Sequence, residues 1–272
     1  MQTIRQPAVA GAFYPGQAGP LTSTVASLLA AARAEGAQLD SQPPKVLIVP
    51  HAGYIYSGAM AACGYARLGT GRQTIRRVVL LGPAHRVPVR GLALPGADAF
   101  ATPLGTITVD QNAVRSLQAL PQVVVSPSAH ALEHALEVQL PFLQTVLDDF
   151  TLVPLVIGDA EPHEVAEVLE TLWGGSETLI VVSSDLSHYL PYRAAQDIDG
   201  ETVHRILTLQ GTITHEQACG GTPINGLLIA ARRRHLHPQL LGLCNSGDTA
   251  GDRQRVVGYA AIAFTEPSHA HH

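Results

Sequence analysis

Five continuous apolar runs constrain this chain more than any other feature: residues 46–49, 78–81, 152–157, 179–182 and 256–264. Each is rich in Val, Ile and Leu and does not alternate with polar residues, the pattern of a strand buried on both faces. A sheet made of such strands needs a helical layer on each side. The sequence supplies segments of helical period at about 20–35, 57–68, 111–119, 133–148, 161–173, 193–209 and 222–235. Asp110 and Thr222 stand where N-caps are expected. Weaker strand patterns fall at 91–94, 106–109 and 123–125. Strand and helix alternate, so the expected fold is an α/β sandwich with a mostly parallel or mixed central sheet and helices on both faces. No Pro/Gly/polar break with a change of composition divides the chain, which predicts one domain over 1–265. The His-rich stretch 266–272 is expected to be a frayed tail.

Composition narrows the function. Hydrophobic residues make up 46% and charged residues 14%, enough apolar content for a large core. The formal net charge is −5, without the basic footprint of a nucleic-acid binder. Lys45 is the only lysine, which excludes Schiff-base or P-loop lysine chemistry elsewhere. No run of 18 apolar residues is present and the first residues lack a signal-peptide pattern, so neither a membrane span nor secretion is expected. Three cysteines, Cys63, Cys219 and Cys244, fit a reducing compartment, and a cytoplasmic location is expected.

Polar residues of chemical interest follow the predicted strands. Strand 46–49 runs into Pro50-His51-Ala52-Gly53-Tyr54, and strand 78–81 into Gly82-Pro83-Ala84-His85. Strand 179–182 runs into Ser183-Ser184-Asp185-Leu186-Ser187-His188-Tyr189. Open α/β sheets place their sites at the carboxyl ends of strands, and adjacent parallel strands would bring these three histidines together. Neutral imidazoles plus one anion suit Fe(II), Cu or Zn and leave positions open for substrate. The anion could be the carboxylate of Asp185, Glu133 or Glu137, or the thiolate of Cys219. Cys219 precedes Gly220-Gly221-Thr222-Pro223, and a helix N-terminus there would lower its pKa. On a helix at 133–148, Glu133 and Glu137 would share a face, with His134 one position round. No Gly-x-Gly-x-x-Gly, P-loop or Gly-x-Ser-x-Gly motif is present. Ser184 with Asp185 and His188 offers a hydrolytic alternative, but an Asp and a His three residues apart on one loop lack triad geometry.

The segments AGAFYP at 10–15, PHAGYIYSG at 50–58, GPAH at 82–85, EHALEVQLPFL at 133–143, SSDLSHY at 183–189 and CGGTPI at 219–224 together resemble the Memo family, whose prokaryotic members are called AmmeMemoRadiSam system protein B. The resemblance implies a fold similar to class III extradiol dioxygenases and metal ligands at His51, His85 and Cys219. It implies that His188 matches the dioxygenase acid/base histidine. Those dioxygenases use two histidines and a Glu, so Cys219 is a departure, and ring cleavage does not follow from the fold. On this reading Fe(II) ranks ahead of Cu, and Zn last. Asp185 would orient His188 or a ligand histidine, while Tyr54, Tyr189, His134 and Glu137 would shape a pocket for a small aromatic or phenolic substrate. The rival is a non-catalytic metal or redox-linked protein that binds a peptide and acts with a radical SAM partner.

Overall fold

The computed structural model describes residues 2–34 and 42–267. In chain order the elements are β1 (Ile4–Arg5), α1 (Ala18–Ala34), β2 (Val46–Val49), α2 (Tyr54–Tyr65), β3 (Arg77–Pro83), β4 (Leu92–Leu94), β5 (Ala99–Thr102), β6 (Gly105–Thr108), α3 (Gln111–Leu117), β7 (Val123–Val125), α4 (Pro127–Ala131), α5 (Leu140–Val146), β8 (Thr151–Ile157), α6 (Pro162–Leu172), β9 (Thr178–Ser183), β10 (His188–Leu190), α7 (Tyr192–Leu207), α8 (Gly221–Arg233), β11 (His237–Asn245) and β12 (Val256–Thr265). The five apolar runs become β2, β3, β8, β9 and β12. They sit side by side in a nine-stranded sheet of order β10-β12-β2-β9-β3-β8-β4-β7, with β11 also paired to β12. A small sheet, β1-β5-β6, stands apart.

The centre of the large sheet is parallel: β2 with β9, β9 with β3, and β3 with β8. Its flanks are mixed, since β12 runs antiparallel to β2 and β4 antiparallel to β8. Every residue of β2 and β9 is buried, so both faces of the sheet are covered, as continuous apolar runs require. Helices α1, α2 and α5 pack together as one group, and α6 packs on α3 and α8 as another. The α/β sandwich expected from the sequence is the fold observed.

Three expectations change. The predicted helix 133–148 is broken: α4 ends at Ala131, residues 137–139 form a 3-10 turn, and α5 begins at Leu140. Pro141 has no N–H to continue a helix from Glu137, whose carbonyl instead accepts the N–H of Leu140. Glu133 and Glu137 therefore share no helix face. Thr222 is not an N-cap; α8 starts at Gly221 after Gly220, and Thr222 lies in the first turn. Asp110 does cap α3, accepting the N–H groups of Asn112 and Ala113. Strand β11 has no clear apolar run, because Pro238 and Gly242 interrupt it, and its pairing with β12 shifts register between Leu240 and Gly242. Residues 268–272, which hold all three histidines of the expected tail, lie outside the described residues. Among the described residues no helix is long and apolar enough to cross a membrane.

Candidate metal centre

Strand β9 lies between β2 and β3, so the three predicted strand ends are neighbours in space. Register makes the alignment concrete: Val49 pairs with Ser183, and Leu81 with Val182. The chain leaves β2 at His51, β3 at His85 and β9 at Ser184–Asp185, all at one end of the parallel core.

The His51 ring is buried and its tautomer is fixed by hydrogen-bond accounting. Ser183 Oγ donates to the Ala135 carbonyl at 2.6 Å and accepts from Gln139 Nε2 at 2.8 Å. Its single proton is thus in use, and it meets His51 Nδ1 at 2.9 Å as an acceptor. His51 Nδ1 therefore carries the ring proton, and the Nε2 lone pair faces inward. Burial, reinforced by the neighbouring His85, pushes the His51 pKa down to about 3, so the ring is neutral at physiological pH.

His85 is fixed by Glu133. One carboxylate oxygen accepts the His85 main-chain N–H at 2.6 Å, and the other meets Nδ1 at 2.9 Å. Burial alone would raise the pKa of Glu133. Hydrogen bonds from the His85 ring, its charge, and the N–H groups of Ala135 and His85 together outweigh that effect and hold it at about 2. An ionised carboxylate only accepts, so Nδ1 of His85 carries a proton, and the neutral tautomer this contact favours has its lone pair on Nε2. This carboxylate–imidazole pair is the arrangement that orients and strengthens metal-binding histidines.

His134 completes a group. Its ring stacks on His85 at a centroid distance of 4.6 Å and stands edge-on to His51 at 5.4 Å. His51, His85 and His134 each place a ring nitrogen within 4.8 Å of the others. Burial lowers the His134 pKa to about 4, and its buried Nδ1 has no hydrogen-bond partner although Glu133 lies 3.3 Å away. The sequence pointed to His134 as pocket wall; the structure brings it into the donor group itself.

Cys219 approaches this group at His51 only. Its Sγ lies 3.3 Å from His51 Nε2 and 3.7 Å from the Asp185 carbonyl. The loop can come so close because residue 220 is glycine: a Cβ there would stand 2.6 Å from Ser184 Cβ. The Gly220 N–H donates to Ser184 Oγ at 2.9 Å, and that hydroxyl donates onward to the Asp185 carbonyl at 2.8 Å. The expectation of a lowered thiol pKa is corrected. Burial, with the nearby Asp185 carboxylate adding to it, pushes Cys219 up to about 12 and overrides the helix N-terminus. In the absence of a cation this sulfur is a thiol, donating toward His51 Nε2.

The remaining predicted residues divide. His188 Nδ1 donates to the Leu186 carbonyl at 2.8 Å, which leaves Nε2 as the basic nitrogen of a half-buried ring. The loop that carries it is tied to the sheet by the pairing of His188 with Val257. Asp185 is buried and accepts the main-chain N–H of His51 at 2.7 Å; none of its hydrogen bonds among the described residues goes to the His188 ring. Burial raises its pKa. Tyr54 donates to the Val138 carbonyl and packs on Phe142, lining a separate cleft of about 530 Å³ with Phe13, Tyr14 and Tyr56. Tyr189 is exposed with φ of 60°, under the guanidinium of Arg255. Glu137 is fully buried away from the rings. It pairs with Arg5 and accepts from Ala8 N–H at 2.7 Å, Val9 N–H at 3.0 Å and Tyr14 hydroxyl at 2.6 Å. It thereby anchors the N-terminal loop whose Phe13 ring lies 4.8 Å from His134. The Ser184 hydroxyl is fully engaged in the loop contacts above, which leaves a hydrolytic triad without its nucleophile.

A cleft of about 590 Å³ leads to this centre, lined by Arg86, Val87, Pro88, Ile157, Asp159 and His215 along with His85 and Cys219. His215, whose Nδ1 is 3.3 Å from the Cys219 carbonyl, had no signal in the sequence beyond being one histidine among many. The donors suit a divalent transition ion. Two imidazoles have Nδ1 tied up as donors, a third ring lies beside both, and one sulfur adjoins His51. Bonds of roughly 2.0 Å to nitrogen and 2.3 Å to sulfur at a tetrahedral angle set two donors about 3.5 Å apart. The 3.3 Å between His51 Nε2 and Cys219 Sγ is close to that spacing.

A family model described as Memo-like protein matches residues 5–263. A MEMO1 family protein of Metallosphaera sedula is 35% identical over 96% of this chain and 99% of its own length. One from Methanosarcina barkeri is 35% identical over 95% of this chain and 99% of its own, and one from Aquifex aeolicus 34% identical over 96% and 99%. With a family match over nearly its whole length and relatives above 30% identity from end to end, the chain belongs to the Memo family.

Proposed function

We propose that the protein is a metal-dependent oxidoreductase acting on a small aromatic or phenolic substrate. Nε2 of His51 and of His85 and Sγ of Cys219 would hold one divalent ion, Fe(II) before Cu, with His134 the alternative third donor. The observation that supports this reading best is the cluster of His51, His85 and His134, with ring nitrogens within 4.8 Å of one another, in which Ser183 and Glu133 hold Nδ1 of His51 and of His85 as donors and so favour Nε2 as the metal-binding nitrogen. When bound, such an ion supplies Lewis acidity toward a hydroxyl and a route for electrons to dioxygen.

The chain's own residues do the rest. His188 takes the proton of a substrate hydroxyl on Nε2, because Nδ1 is held as donor by the Leu186 carbonyl. Asp185 fixes the main chain of His51, and Glu133 fixes both the main chain and the ring of His85. Phe13 packs its ring on His134.

The test uses protein lacking residues 268–272, purified and reconstituted without oxygen. The reading expects one ion per chain, lost in His51→Ala. At pH 8 binding should release one proton and, with Co(II), give a sulfur charge-transfer band, both absent in Cys219→Ser. Metal retained by His51→Ala sinks the centre. An unchanged proton count in Cys219→Ser moves the third donor to His134. Oxygen uptake with a panel of catechols tests the reaction; stoichiometric metal without turnover would favour the binding-protein reading with a radical SAM partner.

A further inference from the structure

The cleft at the centre carries one cation with no counter-ion. Arg86 follows His85 directly and lines the cleft with it. The two residues before it are anchored. Ala84 N–H donates to the Ile157 carbonyl at 2.9 Å, and His85 N–H to Glu133 at 2.6 Å. Its side chain is exposed and, among the described residues, makes no hydrogen bond, ion pair or ring contact. The other charged group on the lining, Asp159, faces Arg90 at 3.4 Å. The lining also carries apolar side chains: Val87, Pro88, Val89 and Ile157. An arginine fork free to bind two oxygens thus shares with aliphatic side chains a cleft of about 590 Å³, within the size range of small-molecule sites.

We propose that Arg86 selects the substrate by its charge: the cleft takes a small aromatic molecule bearing a carboxylate, with the ring against Val87, Pro88 and Ile157 and the carboxylate on the Arg86 guanidinium. This rests on the proposed function in assigning that ligand as substrate, while the charge selection itself rests on Arg86 alone. A guanidinium binds a carboxylate through two parallel N–H bonds, which fixes the direction in which the ring enters. A neutral or cationic ring of the same size would meet the same apolar side chains and leave the guanidinium unpaired.

Three catechols differing in charge test the idea: 3,4-dihydroxybenzoate, catechol and dopamine. Their affinity is measured by calorimetry on metal-free and on Zn(II)-loaded protein. The expected order is carboxylate, then neutral, then cation, with the carboxylate about tenfold ahead of catechol, the size of one charge-assisted hydrogen bond near solvent. Arg86→Gln should bring the three together and Arg86→Glu should reverse the order; Arg86 touches nothing else, so both variants should fold as the parent does. Equal binding of carboxylate and catechol, no binding of the carboxylate to either form, or a preference that survives Arg86→Gln overturns the proposal. If the protein retains no metal yet keeps the carboxylate preference in its metal-free form, the metal reading fails and Arg86 selection stands. Metal retained without that preference is the opposite result.

Discussion

Replacing Glu133 by Gln changes one atom at the base of the centre. The carboxylate accepts three N–H groups: His85 main chain at 2.6 Å, His85 Nδ1 at 2.9 Å and Ala135 main chain at 2.9 Å. An amide has one accepting oxygen, so its NH2 must face either the His85 backbone or the His85 ring. The first choice sets donor against donor in a buried place. The second sets donor against donor at the Ala135 N–H, makes Nδ1 the acceptor and moves the ring proton to Nε2, which removes the lone pair from the centre. A folded pKa of about 2 against 4.5 for the free side chain corresponds to about 3 kcal/mol of stability. Because the folded pKa is depressed, this stability is complete above pH 4.5 and is lost as the pH falls toward 2. Urea unfolding should therefore find the wild type about 3 kcal/mol more stable than Glu133→Gln at pH 7 and only about 1 kcal/mol more stable at pH 3. Metal affinity, read by competition with a chelator at pH 7, should drop about 10- to 100-fold. Nitrogen-15 NMR should show the His85 proton on Nδ1 in the wild type. A stability gap that does not narrow in acid, or a variant that binds metal as tightly as its parent, refutes the role given to Glu133.

Glu137→Ala leaves the Arg5 guanidinium buried without its partner and should cost about 3–5 kcal/mol in unfolding free energy. Amide exchange at Ala8 and Val9 should quicken with it, and an unchanged melting temperature would remove Glu137 as the anchor of the N-terminal loop. Gly220→Ala places a methyl 2.6 Å from Ser184 Cβ and should lower stability by about 1–3 kcal/mol while weakening metal binding, since Cys219 must move with it. Calorimetric melting and metal titration check both effects, and normal values in the two assays count against the close approach. His188→Gln should keep the metal and lose about 100- to 10,000-fold in turnover; a variant that turns over normally excludes His188 as the base.

The fold was legible where the chain repeats one physical signal. Runs such as 152–157 are apolar on both faces, and burial on both faces leaves few architectures. The convergence of His51 and His85 was legible because both follow strands of that kind. The strand order was not: that β9 inserts between β2 and β3 depends on crossover paths, and it brings Ser183 to the His51 ring. The tautomer of His51 rests on Ser183, Gln139 and Ala135, three residues remote from it in sequence, and no local pattern encodes such a chain of bonds. Glu133 and Glu137 show how a sound local rule misleads. Their spacing suits one helix face, but residues 132–136 are not helical and Pro141 opens a new helix, and the two carboxylates turn to different tasks, one on His85 and one on Arg5 and Tyr14. Strand β11 was missed because a proline and a bulge hide its pairing with β12.

The carboxylates also bear on which anion could accompany the imidazoles. Four candidates were open from the sequence: Asp185, Glu133, Glu137 and Cys219. Both oxygens of Glu133 are engaged by N–H groups, and those of Glu137 by N–H and hydroxyl donors. Neither could turn to a metal without stranding the groups it satisfies, and each stranded buried donor costs about 1–3 kcal/mol. Asp185 and Cys219 remain. Asp185 reaches the main-chain N–H of His51, whereas Cys219 stands 3.3 Å from the bare ring nitrogen. Burial works against ionisation of both, raising the carboxyl pKa and pushing the thiol up to about 12. A cation at this point would reverse that balance, since its charge favours the deprotonated form of any group beside it. The metal-free pocket thus holds two neutral rings, His51 and His134, and a protonated sulfur, and at pH 8 its affinity for a cation should climb with pH by one proton if sulfur binds and by none if His134 does.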